Sequence, residues 1–245
     1  MARQIRLVAL DMDGTLTQHK SPISRENKAV LDALGEKYRL LMVGAGQCQR
    51  IYRQLGEYPI DIIGNYGMQA CEYDPATRAL RSLWDERVPC DRVQTEARVT
   101  ELRERFGYTR FTGDNVEYHA SGCITFPLLG TEAPLADKLV FDPHRHKRRA
   151  IYGNVVAAFP EYHVFVGGSS SFDMAPRPFD KRFALQRYCA GHGFDTDEVV
   201  YIGDDYGTGG NDEAVYRSSF RFLTIDDYRD FPAVVAPLLQ GGVSL

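Results

Sequence analysis

Ile5-Arg6-Leu7-Val8-Ala9-Leu10-Asp11-Met12-Asp13-Gly14-Thr15-Leu16-Thr17 is the stretch from which the fold can be read. An apolar run ends abruptly in two carboxylates one residue apart, and a glycine follows. The run has the character of a buried parallel strand, and open α/β sheets hold their ligands beyond the carboxyl ends of such strands. On an extended chain Asp11 and Asp13 share a side. Two acids crowded at one strand end repel each other and call for a cation or a shared proton. Gly14 lets the backbone turn away tightly.

Outward from this stretch, strand and helix alternate. Ser24–Lys37 has a capping serine and helical apolar spacing at Val30, Leu31 and Leu34. Tyr38–Val43 reads as a strand, Cys48–Leu55 as a short helix closed by Gly56, and Ile60–Ile63 as another strand. This rhythm predicts a doubly wound parallel sheet. The middle differs: a charged helix over Pro89–Phe106, a hairpin of Val116–Tyr118 with Cys123–Phe126, an amphipathic helix near Asp142–Pro160, and strands Tyr162–Val166 and Ser170–Met174. After Pro178 the first rhythm returns, with a helix Phe179–Cys189, strands Glu198–Ile202 and Ser219–Thr224, and a terminal helix Asp226–Leu239 interrupted near Pro232. The expected fold class is therefore α/β, a Rossmann-like core built from residues 1–83 and 179–245 with an inserted α+β cap domain at 84–178.

The chain has 245 residues, enough for a sizeable core, and a net charge of −4, which argues against a nucleic-acid partner. Its longest basic run, His144-Arg145-His146-Lys147-Arg148-Arg149, lies in a predicted amphipathic helix and reads as a solvated face. Five widely spaced cysteines without a Cys-x-x-Cys read as free thiols of a reducing compartment. No signal peptide or bilayer-length apolar segment is evident, so a cytoplasmic protein without a membrane partner is expected. The oligomeric state is not legible.

Three groups of residues fall at predicted strand ends of the core: Asp11 with Asp13, Gly44-Ala45-Gly46-Gln47, and Gly203-Asp204-Asp205 through Gly209-Gly210-Asn211-Asp212. In a doubly wound sheet all three meet at the carboxyl edge. Asp11 and Asp204 make an oxygen-rich site suited to Mg²⁺. Such an ion on a phosphoryl oxygen would let a carboxylate act as nucleophile, with Asp13 placed to protonate a leaving oxygen. The amides around Gly46 could cradle a phosphate, although a plain turn explains that glycine pair equally well. Lys181, at a predicted helix start, could reach a phosphorylated aspartate; a solvated lysine is the ordinary reading of that position.

Taken together, Leu10-Asp11-Met12-Asp13-Gly14-Thr15, Lys181 and Gly203-Asp204-Asp205 followed by Gly209-Gly210-Asn211-Asp212 resemble the signatures of the haloacid dehalogenase superfamily. Gln54-Leu55-Gly56, Gly64-Asn65-Tyr66-Gly67, Gly167-Gly168-Ser169-Ser170-Ser171-Phe172-Asp173 and Phe179-Asp180-Lys181-Arg182 look like its eukaryotic-type phosphomannomutase branch. The resemblance implies Asp11 as nucleophile, Asp13 as general acid/base and carbonyl ligand, Asp204 as third Mg²⁺ ligand, and Lys181 on the transferring phosphoryl group. It implies Asp212 as support for the metal or Lys181, and Ser171 and Asp173 as cap residues reaching the substrate.

The chain also departs from that pattern. The mutases carry a serine where Gly46 stands, leaving the amides and Gln47 for the phosphate. They also use cap arginines for a distal phosphate, whereas the matching hairpin, Val116 to Thr131, has none: His119 and Thr131 stand near those positions. Arg110 or Arg177 would have to compensate. The expected activity is therefore a Mg²⁺-dependent phosphatase acting on a small phosphomonoester, a sugar phosphate, with a phosphomannomutase-like hexose-phosphate mutase as the alternative. A catalytically inactive binding protein is the third reading, opposed by the joint presence of Asp11, Asp13, Lys181 and Asp204.

Overall fold

A computed structural model describes residues 4–240. The chain divides into two compact units, one of Met1–Asp85, Lys181–Tyr206 and Asp212–Leu245, the other of Glu86–Asp180 with Gly207–Asn211.

The first unit is a mixed sheet with helices on both faces. In chain order it carries β1 (Leu7–Leu10), α1 (Arg25–Gly35), β2 (Arg39–Val43), α2 (Cys48–Gln54), β3 (Asp61–Gly64), β4 (Gln69–Asp74) and β5 (Ala79–Asp85). The second unit supplies α3 (Arg92–Phe106), β6 (Glu117–Tyr118), β7 (Ile124–Pro127), α4 (Leu135–Phe141), α5 (His146–Ala158), β8 (Tyr162–Phe165) and β9 (Ser171–Pro176). The first unit then closes with α6 (Lys181–His192), β10 (Val199–Gly203), α7 (Glu213–Tyr216), β11 (Arg221–Thr224) and α8 (Phe231–Leu239).

The seven strands of the core run β11-β10-β1-β2-β3-β4-β5. The first five are parallel, and β4 and β5 add an antiparallel hairpin at one edge. That hairpin extends the purely parallel sheet expected from the sequence. Its turn is held by Asp74, whose carboxylate accepts hydrogen bonds from the Ala76 amide and the Thr77 hydroxyl. Every residue of β1 is fully buried because both faces of the sheet are covered. Leu7 and Ala9 pack against Ala184, Leu185 and Tyr188 of α6, and Val8 and Leu10 against Leu31 and Leu34 of α1. Each buried Leu or Val among them contributes about 1.5–3 kcal/mol on leaving water.

Register positions the site. Leu10 lies beside Ile202 on one flank and Met42 on the other. The carboxyl ends of β1, β2 and β10 therefore coincide, and Asp11, Gly44 and Asp204 leave the sheet at one edge. The loop after Asp13 is pinned by Asn27 of α1, whose side-chain amide donates to the carbonyls of Leu16 and Tyr228. Ser24 caps α1 as expected. Pro232 does not interrupt the terminal helix. It sits in the first turn of α8, where no amide hydrogen is needed.

The second unit is a four-stranded antiparallel sheet, β6-β7-β9-β8, carrying α3 and α5 on one hydrophobic core. Val99 and Leu102 of α3 and Ile151 and Val155 of α5 meet Phe126, Phe172 and Met174 of the sheet. α4 was not anticipated and buries no residue. The basic run is not a uniformly solvated face: Arg148 is 1% exposed, on the same helical stripe as Ile151 and Val155. Its Nε donates to Asp142 Oδ2 at 3.0 Å, and its Nη1 donates to the Gly167 carbonyl at 2.6 Å.

All five cysteines are free thiols. No helix among the described residues is long and apolar enough to cross a membrane.

Candidate active site

Strand β1 stops at Leu10, and the chain turns at Asp13, where the Gly14 amide reaches the Thr17 carbonyl and the Thr17 amide reaches Met12. The extended geometry that would have set Asp11 and Asp13 side by side therefore ends before Asp13. Asp11 continues the β1 face that packs on α6. Asp13 instead accepts hydrogen bonds on Oδ1 from the Lys20 amide and the Gln54 side chain, each at 2.8 Å. Among the described residues no group donates to the Asp13 carbonyl oxygen, which suits it to a hard cation.

Lys181 opens α6 and shares its buried stripe with Ala184, Leu185 and Tyr188. That spacing, one helical face, carries the lysine into the protein at the carboxyl edge of the sheet. It is 0% exposed, and its Nζ lies 2.8 Å from both Asp11 Oδ1 and Asp212 Oδ1. Burial alone would lower its pKa, but Asp11 and Asp212 together outweigh that and keep the ammonium charged. Asp212, also 0% exposed, accepts further bonds from the Tyr201 hydroxyl at 2.6 Å and, on Oδ2, from the Asp205 amide at 3.1 Å. Burial and the Asp212 charge push the Tyr201 hydroxyl well above its ordinary range, so it stays a neutral donor.

Asp204, just beyond β10, accepts a hydrogen bond from Thr15 Oγ1 at 2.9 Å. Gly14 packs directly against it. With φ at +99°, a Cβ at residue 14 would stand 2.5 Å from Asp204 Oδ2, so only glycine lets the turn close over the carboxylate.

Carboxylate oxygens of Asp11, Asp204 and Asp212 lie within 4.8 Å of one another. These three acids face one buried cation, and the imbalance shows in their protonation. Burial, followed by repulsion from Asp212 and Asp204, raises Asp11 well above the carboxylate range despite Lys181. Burial, then Asp212, pushes Asp204 up to about 6. A divalent ion with oxygen preference fits this donor set: it would restore neutrality and let all three acids ionise.

The loop after β2 joins the same edge. The Gly44 amide donates to Ile63, and the Cys48 amide to the Gln69 side chain. Between them the amides of Ala45, Gly46 and Gln47 donate to no group among the described residues. Arg50 of α2 lies over Gly46: a Cβ there would be 2.2 Å from Arg50 Nη2.

Thus Asp11, Lys181, Asp204 and Asp212 converge. Asp13 stands two residues on, held by Gln54, and Gly46 and Gln47 belong to the loop with undonated amides. Ser171 and Asp173 lie on β9 in the second unit, where Ser171 Oγ donates to the Gly167 carbonyl and Asp173 Oδ1 accepts from Thr125 Oγ1. Thr125 also meets His119 Nε2 at 3.1 Å. Arg177 is engaged by the Pro160 carbonyl and His163. Four contributors were given no role by the sequence reading: Thr15, Tyr201, Gln54 and Arg50. Thr15, inside the Asp-x-Asp-Gly-Thr turn, and Gln54, in Gln54-Leu55-Gly56, lay in quoted motifs; Tyr201 and Arg50 carried no signal.

Residues 112–226 match the family model described as eukaryotic phosphomannomutase. A phosphomannomutase of Saccharomyces cerevisiae is 26% identical over 222 residues, covering 86% of this chain and 84% of that protein. One from Nicotiana benthamiana is 27% identical over 231 residues, covering 89% and 87%. Among solved structures, an IMP-bound IMP-nucleotidase of Plasmodium falciparum superposes with a TM-score of 0.65 at 15% identity, over 97% of this chain and 68% of that one. A phosphatase of the haloalkanoate superfamily from Bacteroides thetaiotaomicron gives 0.63 at 14% identity, over 98% and 96%. The fold, the acidic sheet edge and the sequence matches are similar to those of phosphoryl-transfer enzymes of the haloacid dehalogenase superfamily. Within it, the sequence matches are with phosphomannomutases.

Proposed function

We propose that the protein is a Mg²⁺-dependent phosphatase that hydrolyses a small phosphomonoester, a sugar phosphate, through an aspartyl phosphate on Asp11. The observation that carries this reading is the convergence of Asp11, Lys181, Asp204 and Asp212 at one sheet edge. Asp11, Asp204 and the Asp13 carbonyl would hold the ion, with Asp212 supporting Lys181. When bound, Mg²⁺ neutralises phosphoryl oxygens and makes the phosphorus more electrophilic.

The chain's own groups do the rest. A carboxylate oxygen of Asp11 forms a bond to phosphorus as the bond from phosphorus to the alcohol oxygen breaks. Asp13 delivers its proton to that departing oxygen. It then takes a proton from the water that attacks the aspartyl phosphate, releasing inorganic phosphate and restoring Asp11. Lys181 faces the charge that accumulates on the transferring group, in a water-poor setting where it acts strongly. The amides of Ala45, Gly46 and Gln47 receive phosphoryl oxygens. Ser171 and Asp173, on β9 of the second unit, are the candidates for substrate recognition.

The named relatives favour a second reading, a hexose-phosphate mutase. Against it, the hairpin of the second unit offers His119, Thr125 and Asp173 in one network and no arginine. Arg103 is drawn inward onto the carbonyls of Tyr108, Pro127 and Leu128. That hairpin therefore offers a second phosphate no guanidinium fork. The test incubates the protein with mannose 1-phosphate and mannose 6-phosphate, with and without a hexose bisphosphate, following free phosphate and isomer exchange. Hydrolysis predicts phosphate release that needs no bisphosphate. Rapid exchange with little phosphate released would establish the mutase instead.

A further inference from the structure

Asp13 has two carboxyl oxygens, and its surroundings make them unequal. Oδ1 accepts from the Lys20 amide and from Gln54 Nε2, each at 2.8 Å. Both partners are donors only, and they hold Oδ1 as an acceptor. Oδ2 has His19 Nδ1 at 4.0 Å, beyond hydrogen-bond range. Oδ1 is thus occupied by two donors, while Oδ2 accepts from no group in hydrogen-bond range among the described residues.

This asymmetry depends on which way the Gln54 amide points, and two groups settle it. Arg50 Nη1 donates to Gln54 Oε1 at 3.0 Å, and a guanidinium has no acceptor. On the other side Gln54 Nε2 donates to the Ser21 carbonyl at 3.1 Å, a group that can only accept. The reversed amide would set donor against donor and acceptor against acceptor. Arg50 and Gln54 are four apart on α2, so one helical face presents the whole chain from Arg50 through Gln54 to Asp13. Room for it comes from Gly46: a Cβ there would stand 2.2 Å from Arg50 Nη2 and 2.4 Å from Nε. The missing side chain at 46, where the mutase pattern has serine, is thereby the space the guanidinium fills.

We propose that Arg50 and Gln54 are positioning residues that anchor the Asp13 carboxyl through Oδ1 and leave Oδ2 as the oxygen from which a proton is delivered, and that the absence of a side chain at Gly46 admits Arg50. The proposal rests on the phosphatase reading. In the step concerned, the bond from phosphorus to the alcohol oxygen breaks, the electron pair goes to that oxygen, and the proton on Asp13 Oδ2 follows it.

The experiment compares two substrates of the full-length protein with Mg²⁺. Mannose 6-phosphate expels an alkoxide that must be protonated, whereas p-nitrophenyl phosphate expels a phenolate that leaves without a proton. The readout is the ratio of kcat for the first over the second. A positioned general acid contributes about 10²–10⁴-fold. Asp13→Asn sets the full collapse of the ratio. Gln54→Ala should lower it at least about tenfold with KM for mannose 6-phosphate little changed. Arg50→Met and Gly46→Ala should shift it the same way, and Arg50→Lys, which keeps a donor-only cation, should recover most of it. A merely structural role would lower both substrates together and leave the ratio fixed, and that result, or a ratio unmoved in Gln54→Ala, overturns the proposal. Wild-type protein that releases phosphate from neither substrate would instead defeat the phosphatase reading, and this inference with it.

Discussion

Lys181→Met removes the one buried cation between Asp11 and Asp212 while keeping the length and most of the volume of the side chain. Two charge-assisted contacts at 2.8 Å are lost, and both carboxylates stay behind, Asp11 at 5% exposure and Asp212 at 0%. Leaving buried charge without its partner costs about 3–5 kcal/mol. At this chain length that corresponds to a fall in melting temperature of roughly 6–20 °C. Asp11 is already held above the carboxylate range by burial and its acidic neighbours. Without Lys181 it rises further, so the loss is smaller at pH 5, where the acid can take up a proton, than at pH 8. The single tryptophan, Trp84, lies on β5 of the core unit, so its fluorescence reports this unit and not the other. Urea unfolding followed at Trp84, in EDTA, should show the full loss at pH 8. Adding Asp212→Asn to Lys181→Met should recover part of it. A loss under about 1 kcal/mol at pH 8, or one independent of pH, would refute the picture of a lysine holding two buried acids.

Two further outcomes are expected. Gly14→Ala, which places a Cβ 2.5 Å from Asp204 Oδ2 at a φ of +99°, should cost about 1–3 kcal/mol and weaken Mg²⁺ binding by calorimetry; unchanged affinity would contradict the packing of that turn on the metal site. In the second unit, burial would raise the Asp142 carboxyl, but the Arg148 amide and guanidinium and the Lys147 amide hold it below its ordinary 3.8. A depressed carboxyl stabilises above its unfolded pKa and loses that contribution as pH falls below it. Hydrogen exchange of α5 amides, corrected for intrinsic rates, should therefore accelerate as pH drops below about 4, and equal protection at pH 3 and pH 6 would count against the pairing.

Much of the core was legible because local chemistry and tertiary context agree there. The apolar run of β1 ends at the acids, Ser24 caps α1, and Lys181 falls on the stripe of Ala184, Leu185 and Tyr188. What escaped depends on contacts between distant segments. The β4–β5 hairpin pairs half-exposed strands whose side chains alternate weakly, so only the turn at Asp74-Pro75 marked it. Arg148 looked solvated because a charge run is usually a surface, yet its neighbours on the helix stripe, Ile151 and Val155, are core residues, and Asp142 neutralises it. Pro232 looked like a break, whereas the preceding 3-10 turn at Tyr228–Asp230 makes it a helix start. Tyr201 looked like one more apolar strand residue, and only the arrival of Asp212 from the next loop gives its hydroxyl a task. The placement of Arg50 over Gly46 joins a glycine to a side chain four residues on, and no spacing rule announces it.

The central claim is that Asp11 takes up the phosphoryl group. Mass spectrometry of protein quenched in acid during turnover of p-nitrophenyl phosphate with Mg²⁺, followed by borohydride reduction of any acyl phosphate, tests it directly. The account predicts reduction of the Asp11 side chain to the alcohol, abolished by EDTA and by Asp11→Asn. Modification at another residue, or an Asp11→Asn variant that turns over within tenfold of the wild type, would contradict it.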